Sequence, residues 1–434
     1  MLRDRFCLPS SILLIALVVA GVFKTGLAED TETSISRKPL PPGVLQTRGV
    51  ISSRGGIVPL ADGSLMLAHG RTYRISSDGG RTWHKERALQ CPLEVGGMIR
   101  LKTGELAIHG EQDGSQYFAA SNDEGKTWSE PALITDYPDF HTLLHSMIQL
   151  KNGRLLLAGY WAGLYSWDKS GGPLRSVHPD LEYLDVSAYG LWRGRKYQIE
   201  GHGHGPEMGI SIVFRSDDRG QSWQKHPGGI MGWFDFQGRP NGNCGQTSCF
   251  EPTIAETKDG NVLLLARSTV GRLVQSFSTD GGEHFYAVTP SDLPASESPG
   301  LVVTLPETED LLIIWNQISR EEIRRGFRRG RLSSAISTDG GHSWENFKTL
   351  ELSDGLEDID RLPPEFPLQM VRARDWVGAM PDKWAYFHYP NLDLVGDRVI
   401  LRYNRGSPWL GVAEQNLKKQ ESIMRIYPIA WFYE

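Results

Sequence analysis

Short apolar runs return in pairs along the 434-residue chain, each pair divided by a turn built from Gly, Asp, Asn, Lys or Glu. They read GGIVPLADGSLMLA from Gly55, GGMIRLKTGELAIH from Gly96, HSMIQLKNGRLLLA from His145, EPTIAETKDGNVLLLA from Glu251, PGLVVTLPETEDLLII from Pro299 and YPNLDLVGDRVILRY from Tyr389. Runs this short, rich in Val, Ile and Leu and bounded by turn residues, predict β-hairpins. A second motif keeps phase with the first: SSDGGRTW from Ser76, SNDEGKTW from Ser121, SDDRGQSW from Ser216, STDGGEHF from Ser278 and STDGGHSW from Ser337. In each, the Asp (Asp78, Asp123, Asp218, Asp280 or Asp339) is placed to accept backbone N–H bonds inside a turn. A Gly supplies positive φ, and the final aromatic buries itself against a neighbouring sheet. That makes the octapeptide scaffold, since a calcium loop needs several acidic ligands and these offer one or two.

An octapeptide follows each of the first five hairpins, and a closing strand is expected over Ile423 to Tyr433 after the sixth. Units of about fifty to sixty residues, each with two hairpins, bury their sheet faces only against neighbouring units, which is the logic of a β-propeller. The expected fold is all-β, a six-bladed β-propeller forming one domain over residues 29–434. The turn aspartates stand 45, 95, 62 and 59 residues apart, so certain blades carry insertions. These are Tyr160 to Gly209 in blade three, with Trp161, Trp167, Trp192, His202 and His204, and Leu356 to His388 before the last hairpin. Long loops on a rigid ring commonly wall a binding site.

Composition agrees with many strands and turns: 48 Gly, 25 Pro and 13 Trp. A net charge of −6 argues against a general nucleic-acid binder, and no such partner is expected. Residues 1–28 read as a signal peptide, with Arg3 and Arg5 before the apolar run Ile12 to Phe23 and Gly26-Leu27-Ala28 at the cleavage site. That run is short for a membrane span, so the mature chain is expected to be secreted or periplasmic without one. In an oxidising compartment Cys244 and Cys249 either pair or stay free, and Cys91 has no obvious partner.

These octapeptides resemble the Asp boxes of the sialidase (neuraminidase) superfamily, and the resemblance covers nearly all of the mature chain. It implies a glycosidase acting on a carboxylated sugar. In FEPTIAETKDGNVLLLARS, Glu251 is similar to the family's glutamate that polarises a tyrosine nucleophile, and Arg267 to one of three arginines that clamp the substrate carboxylate. Tyr389, in HYPNLDLVGDRVILRYN, resembles the nucleophile. Arg329, flanked by Arg328 and Arg331, resembles a second clamp arginine, and Arg54 stands in place of the remaining one, although the family's Arg-Ile-Pro motif is absent. Guanidinium forks bind carboxylates bidentately. A phenol nucleophile avoids the repulsion a carboxylate would meet beside an anionic sugar, the known sialidase exception.

One departure stands out chemically. The family's acid/base Asp has no counterpart, because AHGRTYRI, between the first hairpin and the first Asp box, contains no carboxylate. Residues that open inner strands converge on a propeller's axis, which nominates Glu94 in blade two and His141 or His145 in blade three. A histidine is able to donate a proton near neutral pH. His202, His204 and Glu207 in GHGHGPE lack a recognised ligand spacing, so neither metal nor other cofactor is expected. Three functions remain open, each with an acidic glycan as partner. They are hydrolysis of a terminal sialic acid or related carboxylated sugar, hydrolysis or elimination on a uronic-acid glycan with Tyr and His as base and acid, and lectin-like binding by the clamp alone.

Overall fold

The computed structural model describes residues 39–48, 52–137, 140–143, 145–163, 188–192, 195–199, 208–225, 227–235, 244–247, 249–325, 327–363, 381, 384–406 and 421–434. The chain divides into two units, Met1–Ser34 and Ile35–Glu434, and every described residue belongs to the second. The expected signal peptide and the segment GHGHGPE lie outside the described residues.

Each of the six expected hairpins forms the first two strands of an antiparallel sheet. Blade one is Gly56–Pro59, Leu65–His69, Thr72–Ser76 and Arg87–Ala88; blade two is Glu94–Arg100, Leu106–Gln112, Ser115–Ser121 and Ala132–Thr135. Blade three has a split inner strand, Phe140–His141 and Met147–Gln149, followed by Leu155–Gly163, Met208–Ser216 and Gln224–Lys225. Blade four is Phe250–Glu256, Val262–Arg267, Arg272–Ser278 and Thr289–Pro294, and blade five is Leu301–Thr304, Leu311–Trp315, Arg331–Ser337 and Glu345–Leu352. Blade six is Tyr386–Val395, Arg398–Gly406 and Glu421–Pro428, and its outer strand comes from the other end of the sequence, Leu45–Arg48, with Leu45 opposite Ile426.

Two expectations change here. The closing strand ends at Pro428 rather than Tyr433, and Ile429–Phe432 turn into a 3-10 helix. Proline has no N–H to extend the ladder, while Tyr427 and Phe432 pack on one another with ring centroids 5.4 Å apart. The blade-three insertion also forms more than loop: Ala188–Trp192 and Arg195–Ile199 join Gly232–Asp235 and Cys244–Thr247 in a separate four-stranded sheet.

The core is divided as a propeller requires, with one apolar cluster for each pair of adjacent blades. Val58 and Met66 meet Leu106 and Ile108 between blades one and two, and Ile57 and Leu65 meet Ile400 and Ile426 where the ring closes. The other four interfaces are filled in the same way. The octapeptides hold the outer turns. Asp78 Oδ1 accepts from Thr82 N at 2.9 Å, its Oδ2 from Thr82 Oγ1 at 2.6 Å, and Gly80 N donates to Ser76 Oγ at 2.8 Å. The same bonds recur around Asp123, Asp218 and Asp339, and His284 replaces the hydroxyl around Asp280. Trp83, at the end of the first octapeptide, packs into the cluster shared by blades one and six, so each turn is fastened to its neighbour.

Candidate active site

Three inner strands and the third strand of blade five begin irregularly, and that irregularity presents the candidate residues. Among the described residues, nine other than glycine have positive φ. Asp113, Glu124, Arg219 and Glu309 lie in turns and Asn346 is exposed in an outer strand; the remaining four are His145 (55°), Glu251 (50°), Arg329 (54°) and Tyr389 (53°). For a residue with a Cβ this conformation costs on the order of 1 kcal/mol, and such strain gathers at functional sites. Glu251 and Tyr389 share one local design. Each precedes a proline, Pro252 or Pro390, at a register shift in the pairing of the first two strands. Proline removes a ladder donor and the bulge re-aims the side chain before it.

Four of the eight expected site residues meet there. Glu251 Oε1 accepts from the Tyr389 hydroxyl at 3.2 Å, and its Oε2 from Arg267 Nη1 at 2.9 Å. Arg329 lies 5.2 Å from the centre of the Tyr389 ring and donates Nη2 to the backbone carbonyl of Glu297 at 3.3 Å. Tyr389 and Pro390 also border a small gap with Leu143, Pro252 and Pro299, so blades three to six meet beside the phenol.

The other four are distributed differently. Arg54 is exposed, and its charge is felt at His388 together with that of Arg329. His145 points across the axis, its Nε2 3.3 Å from Asp393 Oδ1, at ion-pair distance but out of line for a hydrogen bond. His141 is exposed and tilts against Tyr160 with ring centroids 5.5 Å apart. Glu94 opens its strand as expected, yet its side chain is 65% exposed and its ionic partner is Arg71 at 3.7 Å, so it stands apart from the Glu251 cluster.

Sequence reasoning missed Glu297. Its side chain is 2% exposed, with Oε2 2.8 Å from Arg328 Nη1 and Oε1 3.6 Å from Arg267 Nη2. This carboxylate binds two arginines by its side chain and a third, Arg329, by its backbone. The arginine run from Arg320 to Arg331 is therefore not a uniform charged face. Arg331 is buried against Glu322, and Arg328 and Arg329 turn towards Glu297. Also missed were Asp393, Arg402 and His388, buried polar residues of the last hairpin that its sequence does not set apart from the other polar positions there.

Charge in the cluster is settled by these contacts. Burial opposes the Arg267 cation, but Glu251, Glu297 and the Tyr389 phenol outweigh it and hold its pKa above the ordinary arginine value. Burial and then the cations Arg329 and Arg54 push His388 down to about 3, so this ring is neutral. Three guanidinium groups, Arg267, Arg328 and Arg329, gather on two carboxylates, Glu251 and Glu297, which leaves one positive charge in excess. Cys249 is a free, buried thiol, and the Cys244 side chain lies outside the described residues. No helix among the described residues is long and apolar enough to cross a membrane.

Fold and repeats together define a six-bladed propeller of the sialidase-like, Asp-box type. The chain belongs to the BNR repeat-like domain family, whose model matches residues 104–399, and a BNR/Asp-box repeat matches residues 74–85. Among solved structures it is similar to a Dyadobacter fermentans protein of unknown function, at 16% identity over 89% of this chain and 99% of that one, with a TM-score of 0.50. Similar too are the GH93 α-L-arabinofuranosidase of Fusarium graminearum in complex with arabinobiose (12% identity, 87% and 93% coverage, TM-score 0.45) and Trypanosoma rangeli sialidase in complex with sialic acid (11%, 87% and 54%, 0.40). No curated protein sequence matches the chain.

Proposed function

We propose that this chain is an exported glycoside hydrolase that removes a terminal carboxylated sugar, sialic acid or a related acid, with retention of configuration. The observation that carries the reading is the Tyr389–Glu251 hydrogen bond of 3.2 Å inside a guanidinium-rich surround. Tyr389 attacks the anomeric carbon while its proton passes to Glu251. As the glycosidic bond breaks, a blade-three histidine gives a proton to the departing oxygen. Water then attacks the same carbon, returns a proton to the histidine, and releases Tyr389, which recovers its own from Glu251.

Arg54 and Arg329 have no carboxylate partner among the described residues, and they are the groups assigned to the substrate carboxylate. Arg267, already held by Glu251 and Glu297, chiefly fixes the base. A binding protein needs only the cations. The strained Glu251–Tyr389 pair has no purpose in simple binding, and this favours an enzyme over a lectin.

The test is turnover of a fluorogenic sialoside and of a panel of acidic polysaccharides by wild type and Tyr389→Phe. Release of the terminal acid by wild type alone supports the reading. Unsaturated products from a uronic-acid polymer would replace it with elimination, and binding without turnover in both proteins would leave a lectin.

A further inference from the structure

We propose that Asp393 is the positioning residue for His145, fixing from the opposite blade the ring that protonates the departing sugar oxygen. This rests on the hydrolase reading above and adds to it which blade-three histidine serves and what orients it.

His145 and His141 are separated by their backbones. His145 has a φ of 55°, in the strained class of Glu251 and Tyr389 at the same strand-opening position, and 18% of its side chain remains exposed. His141 is unstrained, exposed and turned towards Tyr160. Only one of the two therefore shares the arrangement that delivers the other site residues.

Asp393 lies four residues beyond Tyr389 on the strand Tyr386–Val395 and is 2% exposed. It accepts from Arg402 Nη2 at 2.7 Å and from Ile57 N at 2.9 Å, and it faces His145 Nε2 at 3.3 Å. Arg402 is itself tied to the carbonyls of Ser52, Arg54 and Gly55. The carboxylate is thus immobilised by blades one and six, with its charge already balanced by Arg402. The contact to His145 is not needed for that balance. What it adds is direction: a fixed acceptor on one ring nitrogen sets the ring's tautomer and rotation. Contacts of this kind are often loose before substrate binds, as the 3.3 Å spacing is here.

Among the described residues, other charged or titratable groups around His145 are few. His109 of blade two shares a narrow gap with it, and Arg100, Lys102 and Glu256 line the cavity of about 300 Å³ on its other side. Arg100 is occupied by Glu124 at 2.6 Å, and Lys102 by the carbonyl of Leu150 at 3.1 Å. Asp393 is the carboxylate at contact distance.

The experiment compares two substrates of the same sugar, one an unactivated glycan and one a 4-methylumbelliferyl glycoside whose leaving group needs no proton. For D393N and H145Q, kcat/KM on the glycan is expected to fall about a hundredfold or more. On the aryl glycoside kcat/KM, which reports only the step up to departure of the leaving group, should change less than about threefold. A scaffold role for Asp393 lowers both substrates alike, and that result, or no change, overturns the proposal. If D393N fails to fold because Arg402 loses its partner, D393E keeps the charge and displaces the carboxylate. The same split between substrates is expected there, and equal losses refute it. The hydrolase reading fails separately, through an inactive wild type or a fully active Y389F.

Discussion

Arg267 joins Glu251 at 2.9 Å with each side chain only 6% exposed, so the carboxylate is held by a cation that water scarcely reaches. Arg267→Met would leave Glu251 and Glu297 both facing an apolar side chain. Loss of one partner from a buried pair costs about 3–5 kcal/mol. Urea unfolding should show a drop of that size, together with lost turnover. A change below about 1 kcal/mol would mean that the pair is hydrated in solution.

Arg329 is expected to act on recognition more than on chemistry. Arg329→Met should raise KM for the carboxylated substrate about tenfold or more, the equivalent of one charge-assisted contact. The methyl ester of the same substrate should bind both proteins alike. Steady-state kinetics on acid and ester decide the matter, and equal KM changes on the two would remove Arg329 from the clamp.

The Asp boxes should be separable from activity. Asp339 receives Ser343 N at 2.9 Å and Ser343 Oγ at 2.6 Å in an exposed outer turn of blade five. Asp339→Ala is expected to lower the melting temperature by about 1–2 °C, as loss of roughly one net hydrogen bond does in a domain of this size. At saturating substrate, kcat should be unchanged. Loss of kcat at temperatures where the variant is fully folded would contradict the scaffold assignment.

Stability should decline in mild acid. Burial first, and then the neighbouring His145, push His109 down to about 4, and both of its ring nitrogens lack a partner. An unfolded histidine titrates near 6.5, so below that pH the unfolded chain binds a proton that the folded chain refuses. The contribution is intact above pH 6.5 and is lost progressively down to about pH 4, where His109 alone has cost roughly 3 kcal/mol. His388, held at about 3, acts in the same direction. Guanidinium melts between pH 7.5 and 4.5 should show the slope, and His109→Gln should reduce it by about one proton.

Burial pushes the Cys249 thiol up to about 12, with a bond from the Gly232 backbone opposing only weakly. The native protein should therefore leave Cys249 unmodified by a thiol reagent at pH 8 and expose it on unfolding. Mass spectrometry of the labelled peptide reads this directly, and prompt native labelling would show that the blade-three–four interface opens.

Much of this architecture was written in local patterns. Alternating runs around Gly63, Gly104, Gly153 and Gly260 located inner hairpins, and Asp78, Asp123, Asp218, Asp280 and Asp339 marked the outer turns, because hairpins and turns are decided by neighbours in sequence. Glu251, Arg267, Arg329 and Tyr389 were legible through resemblance. Leu45–Arg48 was not, since four residues without alternation become a strand only when the edge of blade six receives them. Glu297 sits in ASESPG and Asp393 in NLDLV, where nothing local distinguishes a surface acid from one held by arginines of other blades. The bulges at Glu251 and Tyr389 were hidden for a related reason: Glu-Pro and Tyr-Pro look like strand breaks until a partner strand accommodates them.

The pairing of Leu45–Arg48 with Glu421–Pro428 has a consequence for assembly of the ring. The sheet that carries Tyr389 is stitched from two segments at opposite ends of the six-blade sequence, so the ring stays an open arc until both seams have met. A protease that clips either seam would unfasten the sheet of Tyr389 without touching Tyr389 or Glu251.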